Sequence, residues 1–117
     1  MKKKPELKID LYGNKRWYLN DNLHREDGPA VKLTDGTKRW YLNGKLHREN
    51  GPAIEYVNGT KEWYLNGKRH RIDGPAIEWS NGDKYWYLKG KEVKEEDVID
   101  FNPKITEREY LKFVINL

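Results

Sequence analysis

The chain predicts a mostly β protein: an elongated antiparallel β-hairpin repeat array of 23-residue units, closed by a C-terminal α-helical cap. Three observations carry this. Trp-Tyr-Leu recurs at constant spacing, at Trp17-Tyr18-Leu19, Trp40-Tyr41-Leu42, Trp63-Tyr64-Leu65 and Trp86-Tyr87-Leu88. His-Arg (His24-Arg25, His47-Arg48, His70-Arg71) and Gly-Pro-Ala (Gly28-Pro29-Ala30, Gly51-Pro52-Ala53, Gly74-Pro75-Ala76) recur in the same register. Asp-Gly or Asn-Gly pairs separate short runs in which apolar and polar residues alternate. A fixed period of this length marks units that bury their apolar faces only by stacking on a neighbour.

The order of elements follows from one unit, Ala30 to Pro52. Ala30-Val31-Lys32-Leu33-Thr34 alternates as a half-buried strand does. Asp35-Gly36 is a strong hairpin signal, repeated as Asn58-Gly59 and Asn81-Gly82. Thr37 to Leu42 is the return strand, and Asn43-Gly44 offers a second tight turn, repeated as Asn66-Gly67. If Asp35-Gly36 is a two-residue loop, Leu33 faces Lys38 and Val31 faces Trp40. Val31, Leu33, Trp40 and Leu42 then form an inner face, with Lys32, Arg39 and Tyr41 outside. The inner columns become Val31/Ile54/Ile77, Leu33/Tyr56/Trp79 and Trp40/Trp63/Trp86. The outer columns become Lys32/Glu55/Glu78 and Arg39/Glu62/Tyr85. His47 to Pro52 reads as a segment crossing to the next hairpin, with Pro52 at a strand's start or edge.

The ends depart from the pattern, as terminal repeats do. Residues 1–16 form an N-terminal cap region, 17–92 the tandem hairpins and 93–117 the helical cap, all in one domain spanning 1–117. Thr106 with Glu109 makes a capping-box pattern, and Tyr110, Leu111, Phe113, Val114 and Leu117 follow at helix-like spacing. A shorter helical turn is expected around Glu95 to Phe101.

Composition narrows the functions. The charged fraction is 36%, but an aromatic fraction of 13% argues against disorder. Net charge is +4 with acids interleaved among the bases, a weak signature for a nucleic-acid binder. There is no cysteine, hence no disulfide and no thiolate metal site. No run is apolar enough for a signal peptide or a transmembrane segment, and a cytoplasmic location is expected. No phosphate loop, nucleophile elbow or metal-ligand spacing is present, so neither catalysis nor a cofactor is expected.

The unit Trp-Tyr-x-Asn-Gly-x-x-His-Arg-x-Asp-Gly-Pro-Ala, carried by Trp17 to Ala30, Trp40 to Ala53 and Trp63 to Ala76, resembles the MORN-like repeat family. The match is to the variant found in large DNA viruses, phages and bacteria. Departures are Asp21 in the first turn, Asn50 in place of Asp and Arg69 in place of Leu. The resemblance implies a non-catalytic interaction or scaffold module. Its expected partner is a protein, in a viral or phage setting a host or defence component met in the host cytoplasm.

Two residue sets compete for a functional reading. The His-Arg rows read either as anion-binding groups or as structural bridges, each Arg reaching Asp27, Asn50, Asp73 or a backbone carbonyl. Structure is favoured, because a catalytic group is rarely needed in triplicate. The three His would stand roughly 10 Å apart, too far to share a metal ion. The Tyr column, Tyr18, Tyr41, Tyr64 and Tyr87, is expected opposite the Trp column, where with Arg39, Arg48 and Arg71 it forms the expected partner-binding strip. The alternative is a nucleotide, nucleic acid or anionic lipid held by the same rows.

Overall fold

The computed structural model describes residues 3–99. It is mostly β, with fourteen short antiparallel strands and one short helix among those residues. The strands are β1 Glu6–Ile9, β2 Lys15–Leu19, β3 Asn22–Leu23, β4 Val31–Lys32, β5 Lys38–Arg39, β6 Tyr41–Leu42 and β7 Lys45–Leu46. They continue with β8 Ile54–Glu55, β9 Lys61–Glu62, β10 Tyr64–Leu65, β11 Lys68–Arg69, β12 Ile77–Glu78, β13 Lys84–Leu88 and β14 Lys91–Val93. Helix α1, Glu95–Ile99, packs against β13 and buries Val98. The helix expected from Thr106 lies outside the described residues.

Each unit makes two hairpins in succession. The first, such as β4–β5, joins its neighbours in one continuous sheet ordered β1-β2-β4-β5-β8-β9-β12-β13. The second, such as β6–β7, turns at Asn43-Gly44, and successive second hairpins are tied by backbone bonds. Arg48 N–H donates to Tyr64 O at 3.1 Å and Gly67 N–H to Leu46 O at 2.8 Å. The third strand of each unit is thus two residues long, and 47–52 forms the crossing segment. With two hairpins laid end to end in each unit, the array is a slab of 47 × 40 × 21 Å rather than an elongated rod.

The two turns differ, and the difference corrects the expected register. At Asn43-Gly44 both residues have positive φ (51° and 79°), the geometry of a two-residue type I′ turn. At Asp35-Gly36 only the glycine does, with φ 100°. Gly36 N–H donates to Leu33 O at 3.0 Å, and Leu33 N–H donates to Thr37 O at 2.9 Å. This is a three-residue loop with a left-handed glycine closing it. The cause is local: the Asp35 carboxylate accepts Thr37 N–H at 2.8 Å, a bond two residues on that favours the tight right-handed turn. Hydrogen bonding from Thr37 also holds that carboxyl below its usual range.

One extra loop residue shifts the pairing by one and turns the return strand over. Val31 pairs with Arg39 and Lys32 with Lys38. The face of Val31, Ile54 and Ile77 therefore carries Arg39, Glu62 and Tyr85, and two residues further along Tyr41 and Tyr64. Glu62, expected in solvent, is only 5% exposed. Trp40 and Leu42 fall on the opposite face, with Lys32 and Lys38.

The Trp column is not the main core. Its members are half-buried, whereas Val31, Ile54, Ile77 and the three repeat alanines are buried. Trp40 N–H donates to Ala53 O at 2.8 Å, and the register sets Ala53 between Trp40 and Trp63. Large and small residues alternate along this row, which explains alanines with no exposed surface. Trp40 is also where the chain leaves the first sheet: its carbonyl accepts His47 N–H, at 3.0 Å, in the second hairpin.

At the first turn one side-chain bond per unit locks each unit to the next. Thr60 Oγ1 accepts Ser80 N–H at 3.0 Å, and Thr37 Oγ1 accepts Val57 N–H at 3.4 Å. In the first unit Asn14 Oδ1 takes the same role for Thr34 N–H, at 2.9 Å.

Filling the small position of the alternating row tests this register. Ala53→Leu is expected to cost about 1–3 kcal/mol by overpacking against the flanking indoles. Lys61→Leu, on an exposed side chain, is expected to stay within about 0.5 kcal/mol of the parent in urea denaturation. Equal midpoints for the two variants would contradict the Trp–Ala row.

Candidate interaction surface

The repeated Arg is the centre of each crossing segment. The guanidinium carbons of Arg25, Arg48 and Arg71 lie over Trp17, Trp40 and Trp63, at 3.9, 3.8 and 3.8 Å from the ring centroids. On the other side stands the glycine of Gly-Pro-Ala. A Cβ on Gly28, Gly51 or Gly74 would come within 3.1, 3.1 or 2.7 Å of the guanidinium carbon. The planar group is therefore held between an indole and a glycine, at a distance where a side chain would crowd it. Arg71 donates to Asp73 at 2.9 Å, to Pro75 O at 3.0 Å and to Glu78 at 3.3 Å. Arg25 reaches Asp27 and Pro29 O, and Arg48 reaches Pro52 O and Glu55.

The His of each pair faces the next unit. Nδ1 of His24, His47 and His70 accepts the backbone N–H of Asn43, Asn66 and Lys89 at 2.9, 2.9 and 3.0 Å. Those acceptors fix the left-handed residues that open the second turns, with φ of 51°, 50° and 51°. Nε2 of His24 and His47 lies 3.7 Å from Glu26 and Glu49, and position 72 of the third unit is Ile. Burial, together with the nearby Lys89 charge, pushes the His70 imidazole down to about 4.

The residues read from sequence as one partner-binding strip fall on two faces. Tyr41, Tyr64 and Arg39 share the Val31 face and are half-buried, as are Tyr18 and Tyr87. Arg48 and Arg71 lie across the sheet on the Trp face. Tyr64 is tied to a buried carboxylate: its hydroxyl donates to Glu62 at 3.2 Å, alongside Tyr56 at 2.9 Å and Arg69 at 3.2 Å. Burial, and then the Glu62 charge, raise the Tyr64 phenol above its ordinary value. Four donated bonds leave that carboxylate well satisfied, as a buried charge requires.

What the sequence did not reveal is concavity. Because the crossing segments stand over the sheet, grooves open between them. One, of about 520 Å³, lies between 25–29 and 47–50, with Trp40 and Leu42 as its floor and Glu26, Asp27 and Glu49 on its rim. A neighbouring groove of about 640 Å³ runs from Lys3 and Lys4 across Trp17 and Leu19 to Glu26. The usable signal was the Leu19/Leu42 column beside acidic residues one place after Arg. It becomes meaningful only once the return strand's face is known.

Among the described residues no group of His, Cys, Asp or Glu is placed to hold a metal ion, and no helix is long and apolar enough to cross a membrane. Compared with known proteins, the chain matches no family model, no curated protein and no solved structure.

The Trp–Arg–Gly contact predicts strong coupling. Gly74→Ala is expected to destabilise by about 1–2 kcal/mol, and Arg71→Ala by about 1–3 kcal/mol. Combined, they are expected to cost little more than Arg71→Ala alone, since the added methyl then meets nothing. Strict additivity in the double-mutant cycle would show that the guanidinium is not confined by the glycine.

His70 gives a pH dependence with a definite sign. Its proton is bound near 6.5 in the unfolded chain but only near 4 in the folded one. Its stabilisation is therefore complete above pH 6.5 and drains away as the pH falls toward 4. The loss is on the order of 2 kcal/mol after discounting for solvent screening. Thermal melts across this window are expected to fall for the parent and to flatten for His70→Asn, which keeps an acceptor but does not titrate. An unchanged slope in that variant would assign the titration elsewhere.

Proposed function

We propose that the chain is a non-catalytic, MORN-like repeat module that binds a protein partner, in a viral or phage setting a host or defence component. The observation that supports this best is the pair of open grooves between crossing segments. Each combines an apolar Trp–Leu floor with charged rims, the composition that recurs at the centre and edge of protein interfaces. The His-Arg rows are spent on architecture, so the contact surface proposed here is the groove over Trp40 and Leu42. The Tyr strip serves it indirectly, by stiffening the hairpins that form the floor.

Photocrosslinking from within the groove tests the reading. A photoreactive side chain at Asn50 is expected to give a discrete protein adduct in host lysate, and one at the distant turn residue Val57 is not. Excess unlabelled parent protein should compete the adduct away, and the variant carrying Glu26→Arg and Glu49→Arg should not. Competition by both, or equal labelling from the two positions, would remove the groove as the binding surface.

A further inference from the structure

The first sheet ends at β1, and among the described residues that strand pairs only with β2. Which of its backbone groups face outward follows from β2. Trp17 N–H donates to Ala30 O at 2.8 Å, and Trp17 O accepts His24 N–H at 3.0 Å. Both groups of Trp17 are thus turned away from Leu7, its partner across the pair. Leu7↔Trp17 is therefore a pair without mutual hydrogen bonds, and the N–H and C=O of Leu7 point outward. By alternation the same holds for Ile9 and for the C=O of Pro5, while Asp10 N–H turns inward to Asn14 O at 3.1 Å. Every residue of β1 is exposed. Leu7 and Ile9 keep 42% and 58% of their surface in solvent, on the face they share with Trp17.

An open edge with apolar side chains is a template for another strand, and proteins guard such edges with lysine and proline. Lys8 and Pro5 stand in those roles here. The order of residues nevertheless makes β1 complementary to itself. Let it lie antiparallel on β1 of a second copy, about a two-fold axis at Leu7. Glu6 then faces Lys8 of the second copy, and Lys8 faces its Glu6. Neither residue is in an ion pair among the described residues. Leu7 faces Leu7 and exchanges both backbone hydrogen bonds with it. Ile9 faces Pro5 and donates its N–H to the Pro5 carbonyl, so the proline leaves only the Ile9 carbonyl to water. Lys4 comes opposite Asp10.

The neighbouring registers fail on charge. An axis at Lys8 sets Lys8 against Lys8 and Glu6 against Asp10. One at Glu6 sets Glu6 against Glu6 and Lys4 against Lys8. Like charges directly opposite destabilise a sheet. An axis at Ile9 would recruit Leu11, which lies in the turn beyond the strand. A strand of unrelated sequence has no reason to match this pattern, whereas a second copy does so by construction.

We infer that the protein forms an isologous dimer in which β1 of two copies pairs antiparallel about Leu7, joining their first sheets into one. Strands β2 and β4 separate this edge from β5 and the groove over Trp40, so neither proposal depends on the other.

The contact is small beside a standard interface of about 1,600 Å², and a dissociation constant on the order of 100 µM is expected. Sedimentation equilibrium between about 10 and 500 µM should show monomer giving way to dimer and nothing larger. Lys8→Glu sets glutamate against Glu6, and Glu6→Lys sets lysine against Lys8. Each variant alone should self-associate at least about tenfold more weakly than the parent. Mixed in equal amounts, the two variants should associate about as tightly as the parent, because every lysine then meets a glutamate. Both changes fall on exposed side chains, and circular dichroism checks that each variant keeps its fold. A parent protein that stays monomeric, single variants as tight as the parent, or a mixture no tighter than its components would each overturn the inference. So would species larger than a dimer, the mark of head-to-tail pairing between β1 and the far edge, β14, of the next copy.

Discussion

A guanidinium held between an indole and a glycine is the contact on which the rest of this slab depends. Beyond the backbone bonds at His47 and Arg48, the crossing segment has no ladder of its own among the described residues. What holds it over the sheet is Arg48 lying flat on Trp40, with Pro52 O and Glu55 satisfying its donors. A desolvated cation–π contact is worth about 2 kcal/mol, more than an isolated surface ion pair. It also explains why so many residues recur together. Trp supplies the platform, Gly the clearance, the Pro carbonyl an acceptor, and Ala the small neighbour that lets the indoles sit side by side. Lysine would not serve in place of Arg, because its ammonium offers neither a flat face nor a fork of donors.

Stability in such an array is a chain of neighbour-to-neighbour terms. Each unit reaches forward twice, from Thr at the first turn and from His at the second, and each bond satisfies a backbone N–H of the next unit. The ends show how the rule is closed off. Asn14 replaces Thr at the front, steadied by Asp10, whose carboxyl is held at about 2 chiefly by its bond from the Asn14 side chain. At the back Val93 and Lys94 stand where His and Arg would be, and α1 follows instead of another crossing segment.

Strands, both turns and the crossing segment were legible in the sequence because each rests on local chemistry: alternation, Asx-Gly pairs, a fixed proline. The face of the return strand was not. Asp35-Gly36 and Asn43-Gly44 look alike as dipeptides, yet the first makes a three-residue loop because the Asp35 carboxylate bonds forward to Thr37. That single residue moved Trp40 out of the expected core and brought Glu62 and Tyr64 onto the Ile54 face. The roles of His and Arg were legible in kind, as structural groups, but not in direction. His47 serves the next unit's turn, a contact 19 residues away that no local pattern encodes. The grooves were illegible for the same reason, since they exist only between segments of successive units.

Once the recurring residues are committed to architecture, selectivity has to reside where the units differ. Trp, His, Arg, Gly, Pro and Ala are used alike in each full unit and offer any ligand the same thing three times over. Among the positions that break that monotony are Lys32/Glu55/Glu78, Glu26/Glu49/Ile72, Leu33/Tyr56/Trp79 and Arg39/Glu62/Tyr85. The last is spent partly inward, where Glu62 gathers Tyr56, Tyr64 and Arg69. The second lines the groove rim and turns from acidic to apolar by the third unit. The first and third lie beside the loops, adding a charge that reverses sign after the first unit and an apolar side chain of growing size. A scaffold with constant spacing and graded side chains makes each unit distinct on both faces of the sheet. Which face a varying position on the return strand occupies is therefore decided by the extra residue in the Asp35-Gly36 loop, so the chemistry at the surface is set by turn geometry as much as by the side chains themselves.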